Sequence, residues 1–183
     1  MLKRFSIFSP VGMALSLLAS ACAPAWREYR SEDADFTIEL PGEPCPSSHH
    51  TGPLGERRDF RGVETWLQGA PFPSPHFGSF RVWSYQVVGS ISTPDEKLAR
   101  LNEVRDEELR DVELHPTLVS DTALQGATGR EIEVTLRGDF RLVERNFLHN
   151  GRIYRIAALE DRSASRAYVD RFLASFRFTE SKH

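Results

Sequence analysis

Asn150-Gly151, in the stretch "LHNGRIYRI", is the feature that most narrows what this chain can fold into. Asn-Gly favours the two positive φ angles of a type I′ turn, so the flanking alternating segments read as a two-stranded hairpin. A two-residue loop there pairs Leu148 with Ile153 and Phe147 with Tyr154. A three-residue loop at Arg137–Asp139 pairs Leu136 with Phe140 and sets Glu131 opposite Arg145. Upstream, Gln125-Gly126-Ala127 turns a strand at Leu118–Leu124 into one at Glu131–Leu136, which completes an antiparallel meander. Because side chains alternate between faces, one face carries Ile132, Val134, Leu136, Phe140, Leu142, Leu148 and Ile153. The other carries Val143, Phe147, Tyr154, Ile156 and Ala158. Both faces are apolar enough to need covering.

Two helices supply that cover. Thr93 suits an N-cap, Pro94 the first helical position, and Glu96 closes a capping box. Leu98, Leu101, Val104, Leu109 and Val112 then form one stripe, with Arg105 snorkelling inside it. A second helix over Ser163–Ala174 places Ala164, Tyr168, Phe172 and Leu173 on one face, and Phe176 and Phe178 alternate in a last short strand. Near the other end, Trp26 and Tyr29 mark a short strand, and Phe36–Leu40 alternates as a second one. Residues 41–57 and "GAPFPSPHFG" are rich in Pro, Gly, Ser and His and read as loops. Strands are expected at Arg58–Arg61, Glu64–Gln68 and Ser79–Val88. The fold class is α+β, an α/β/α sandwich with a mainly antiparallel sheet flanked by helices.

The first 21 residues read as an address rather than as part of that fold. Lys3 and Arg4 precede a run from Phe5 to Ala21 that is apolar or small throughout and is interrupted by Pro10 and Gly12. The run falls short of the ~20 residues of a membrane span, and its small-residue end fits a cleaved signal peptide. Leu18-Ala19-Ser20-Ala21-Cys22 resembles a bacterial lipobox, with alanine at position 19 where leucine is the common choice. The resemblance implies cleavage after Ala21 and acylation of Cys22, which would tie the chain to a membrane through acyl chains. Ala23-Pro24-Ala25 is then the whole tether, and at about 3.5 Å per residue it holds the domain against the bilayer. Residues 26–179 form one domain and 180–183 a tail.

Cleavage leaves 162 of 183 residues, and losing Lys3 and Arg4 takes the net charge from −3 to −5. An acidic domain of this kind argues against nucleic acid as a partner. Cysteine use leaves two arrangements open: an acylated Cys22 with Cys45 as a lone thiol, or a Cys22–Cys45 disulfide.

The segments "YRSEDADFTIELPGEP", "GATGREIEV", "HNGRIYRIAA" and "RFLASFRF" resemble the PsbP-like (PsbP/DcrB-type) domains of bacterial envelope proteins. The resemblance spans roughly residues 26–179 and implies the same α/β/α sandwich. It attaches no catalytic residue and no cofactor to these positions.

Four groups of residues are candidates for function. Cys45, His49 and His50 in "CPSSHH" are zinc or copper ligand types, with His76 on the other Pro-rich loop. Phe72 and Phe77 sit on a proline-stiffened loop suited to docking a partner. Glu144, Asn146 and Arg155 share a sheet face, with Glu144 diagonal to Arg155, either as a polar pocket floor or as a structural pair near the sheet edge. Cys22 is the lipidation site. G-x-S-x-G, H-E-x-x-H, C-x-x-C and phosphate-loop motifs are all missing from the sequence. The expectation is a non-catalytic binding or scaffolding protein, lipid-anchored in the bacterial envelope, at the outer membrane facing the periplasm. Another envelope protein is the expected partner. A metal-handling module and a small envelope hydrolase are the alternatives.

Overall fold

A computed structural model describes residues 25–49, 60–67, 78–111, 116–136, 140–161 and 166–180. Cys22, His50, Phe72, His76 and Phe77 lie outside them. The elements in chain order are β1 (Trp26–Ser31), β2 (Phe36–Pro41), β3 (Cys45–His49), β4 (Phe60–Leu67), β5 (Gly78–Gln86), α1 (Pro94–Asp111), β6 (Pro116–Leu124), β7 (Ala127–Thr135), β8 (Phe140–His149), β9 (Arg152–Asp161), α2 (Arg166–Ser175) and β10 (Arg177–Phe178). Seven strands form one sheet in the order β3-β4-β5-β9-β8-β7-β6, and three form a second, β1-β2-β10. Every pairing is antiparallel. The α+β class expected from the sequence is the one observed.

The meander keeps the register its turns dictate. Leu148 faces Ile153, Phe147 faces Tyr154 and Glu131 faces Arg145, while the Leu136 N–H bonds the Phe140 carbonyl at 2.8 Å. Asn150 and Gly151 have φ of 48° and 69°, and Gln125 and Gly126 have 48° and 80°. Both hairpins thus use two-residue type I′ loops, so Ala127 belongs to β7 rather than to the turn. A Gly151→Val change forces a β-branched residue into left-handed backbone, with Gln86 Nε2 only 3.2 Å from the new Cβ. Thermal or urea denaturation should show a loss of about 1 kcal/mol or more. Unchanged stability would contradict the turn.

Each face of the large sheet has its own core. On one side α1 lays Leu101 and Val104 over Phe60, Tyr85, Leu148 and Ile153. The helix starts as its capping box dictates: Thr93 Oγ1 accepts the Glu96 N–H at 3.2 Å, and Glu96 Oε2 accepts those of Thr93 and Ser92 at 3.0 and 2.9 Å. On the other side, Val63, Phe80, Val82, Val143, Phe147, Tyr154, Ile156 and Ala158 meet α2 residues Val169, Phe172 and Leu173. They also meet Phe36, Ile38 and Leu40 of β2, so the small sheet shares that layer with α2. Among the described residues no helix is long and apolar enough to cross a membrane.

Three sequence expectations change. Cys45–His49 lies in an edge strand rather than a loop. Pro46 is tolerated there because an edge strand leaves half of its N–H groups without a ladder partner. Second, Phe60–Leu67 is one strand running straight through Gly62. Glycine is required at that position because a Cβ would collide with the Val82 carbonyl and lie 2.6 Å from Trp83 Cδ1. Third, β1, β2 and β10 leave the main sheet and pack on it as a separate layer.

Candidate functional site

Glu144, Asn146 and Arg155 come together on the α1 side of the large sheet. β8 presents Glu144 and Asn146 two residues apart on one face, and β9 sets Arg155 opposite Asn146. Glu144 Oε1 accepts from Asn146 Nδ2 at 2.7 Å and from Arg155 Nε at 3.3 Å, and Oε2 accepts from Arg155 Nη2 at 3.2 Å. The Glu144 and Arg155 side chains are only 2% and 12% exposed, so this ion pair is withdrawn from water. Trp83 is the cross-strand neighbour of Gly62, donates from Nε1 to Ser47 Oγ at 3.3 Å, and has the Arg81 and Arg155 guanidinium carbons 4.7 and 5.8 Å from its ring centre. The pair is not at a sheet edge: β9 is the fourth of seven strands, with β8 beside it. A carboxylate whose two oxygens both accept from a guanidinium is held as the anion. It clamps β8 to β9 and is poorly placed to exchange a proton.

Glu160 and Arg141 form a second buried pair on the same two strands but on the opposite, α2 face, where they are directly paired and Glu160 is also 2% exposed. Glu131 and Arg145 form a third acid–arginine pair, across β7 and β8, on the α2 side; there Arg145 Nη1 also donates to the Leu173 carbonyl at 3.4 Å. The cross-strand charges visible in the sequence are therefore mostly spent on the sheet itself.

Polar groups that meet open space gather elsewhere, in a cleft of about 570 Å³ where the two sheets part. One wall is β1 and the turn after it, contributing Tyr29, Ser31 and Asp33; the other is β3 and β4, contributing Ser48 and Arg61. Arg61 reaches across to Asp33 at 2.8 Å, with both side chains largely exposed, so solvent leaves this bridge little energy. Burial, and then the Asp33 charge, push the Tyr29 hydroxyl above its ordinary pKa of 10.0. It stays a neutral hydrogen-bond donor at every physiological pH. The volume suits a small ligand or a protruding side chain, and the walls offer hydroxyls and both signs of charge.

The "CPSSHH" segment contributes to this cleft through Ser47 and Ser48. Cys45 is free and exposed. Cys45 and His49 occupy opposite ends of β3, about 13 Å apart along the backbone at ~3.3 Å per residue. Among the described residues no three His, Cys, Asp or Glu side chains converge as a metal site would require. Sequence reasoning missed the cleft because one wall includes β3, whose strand character rests on β4 rather than on any local pattern, and the other belongs to a separate sheet.

No family model matches the chain. No curated protein matches it either. Among solved structures it is similar to cyanobacterial PsbP (CyanoP) from Synechocystis sp. PCC 6803, known from a solution structure, at 13% identity and a TM-score of 0.45. That alignment covers 93% of this chain and 99% of the other. A likeness of this degree carries nothing about activity, ligand or partner.

Proposed function

We propose that this chain is a lipid-anchored protein of the bacterial cell envelope whose PsbP-like domain binds or scaffolds another envelope component without catalysing a reaction. One observation carries the non-catalytic reading. The buried carboxylates Glu144 and Glu160 are each clamped by an arginine, and the polar groups facing space line a solvated cleft suited to contact. The lipobox-like "LASAC" supports the anchor, and Ala23 in place of a retention aspartate favours the outer membrane. The Phe72–Phe77 loop is a second docking element that the sequence offers.

Mass spectrometry of the processed protein is expected to show an N-terminal, acylated Cys22. An unmodified Cys22, or a Cys22–Cys45 disulfide, would overturn the anchor. For the binding role, cross-linked envelopes are probed with the full-length protein and with a Ser48→Trp/Arg61→Glu variant that fills the cleft and reverses one of its charges. Loss of a captured partner at unchanged Tm supports the cleft. Equal capture by both forms moves binding to another surface, for which Phe72→Ser/Phe77→Ser is the next test.

A further inference from the structure

The large sheet ends at β6, at the opposite end from the cleft. An unpaired strand edge is a ready template for another strand, and proteins ordinarily blunt it with charge, proline or brevity. Among the described residues the other edges are blunted in these ways. β1 carries Arg27, Glu28 and Arg30, β3 has five residues including Pro46, and β10 has two. β6 is longer, with nine residues; its proline and register irregularity lie only at its start, at Pro116–Leu118, and Asp121 is its single charge, while Leu118 is exposed by 45% and Val119 by 38%.

Its hydrogen-bonding sense follows from the hairpin. Leu124 and Ala127 flank a two-residue type I′ loop, so they exchange both bonds, and bonding to β7 then alternates back along β6 through Thr122 and Ser120. Ala123, Asp121 and Val119 therefore direct their N–H and C=O groups away from the sheet.

The sequence of this edge, "LVSDTAL", is close to palindromic about Asp121. We infer that β6 pairs antiparallel with β6 of a second copy of this chain, about a two-fold axis at Asp121, joining two seven-stranded sheets into one. In that register every outward-facing residue meets another: Val119 opposes Ala123 and Asp121 opposes its own symmetry mate. On the other face Leu118 meets Leu124, and Ser120 meets Thr122. Apolar groups thus meet apolar groups and hydroxyls meet hydroxyls, and the exposed Leu118 and Val119 are covered. The two central carboxylates each bring their own cation, since Asp121 is ion-paired with Arg130 in its own chain. An isologous contact of this kind closes at two copies, and the clefts at the far ends of the joined sheet stay open.

Light scattering on the full chain in detergent is expected to give a dimer mass. Ala123→Pro removes an outward N–H without touching the bonds to β7, and should halve the mass while circular dichroism still shows the folded domain. In a Cys45→Ser background, Asp121→Cys sets two thiols opposite each other at a Cα separation near ~5.5 Å, within disulfide range. A reducible dimer beyond that of the Cys45→Ser parent should appear on gels. Ser120→Cys faces Thr122 of the other copy and should give none. A monomeric wild type overturns the inference even if β6 captures an extended segment of another protein. So do a dimer that survives Ala123→Pro and equal cross-linking through both cysteine variants. If Ala123→Pro does not fold, the contrast between the two cysteine variants decides. Failure here leaves the anchoring and cleft readings standing, because neither uses β6.

Discussion

A Phe36→Ala protein should unfold at a Tm roughly 10 °C below the wild type, for a loss of about 3–5 kcal/mol. Phe36 has no solvent exposure. Its ring lies 5.5 Å from that of Phe176, 6.0 Å from Tyr29 and 6.4 Å from Tyr154, with the Tyr154 contact edge-on. One side chain therefore joins β1 and the α2–β10 junction to β9. Its backbone faces Ser31 of β1 and Phe178 of β10, so neighbouring strands hinder collapse into the void. Most of the cost is the cavity left behind. Phe36→Leu, which keeps much of the volume, should recover more than half of the loss in the same denaturation experiment. A Phe36→Ala penalty below about 1 kcal/mol would mean that the small sheet does not pack as described.

Glu144→Leu should cost about 3–5 kcal/mol for a different reason. Arg155, 12% exposed, is left with its main counter-charge gone, and Asn146 Nδ2 loses its acceptor. The penalty is the loss of a counter-charge at a guanidinium withdrawn from water rather than the net value of the pair. The double change Glu144→Leu/Arg155→Leu should therefore be more stable than Glu144→Leu alone, which chemical denaturation of the four-member cycle would measure. Strict additivity would show that the two side chains are not coupled. Equal stability of Glu144→Leu and the wild type would show that water reaches Arg155 freely.

What the sequence made legible here was local. Asn150-Gly151 and the Thr93–Glu96 box carry their geometry in their own side chains, and the meander and the start of α1 follow from them. The diagonal Glu144–Arg155 pair was readable for the same reason, since register places it once the turn is known. Illegible features were those imposed from a distance. Cys45–His49 has the composition of a loop, and only the edge of β4 makes it a strand. Gly62 looks like a break between two strands until Trp83 is found as its cross-strand neighbour. The cleft inherits this blindness, being bounded on one side by β3 and on the other by a turn of the small sheet. Nothing in residues 26–41 announces that these strands will leave the main sheet, because a strand's alternation looks the same in either layer.

β2 draws its partners from both ends of the domain. Thr37 and Phe36 pair with Arg177 and Phe178, the Glu39 N–H donates to Ser175 Oγ across 136 positions of sequence, and the Thr179 N–H closes onto the Asp35 carbonyl. A ribosome that has made everything up to β9 has therefore not yet made what β2 needs. Phe36, Ile38 and Leu40 stay without α2 and β10 until residues 166–178 have emerged. Closing so long a loop is slow compared with local hairpins. The main sheet can assemble around its turns early, but the layer holding β2 locks late. A chain that folds in this order leaves the β1–β2 hairpin without its α2 and β10 cover until those two elements have been made.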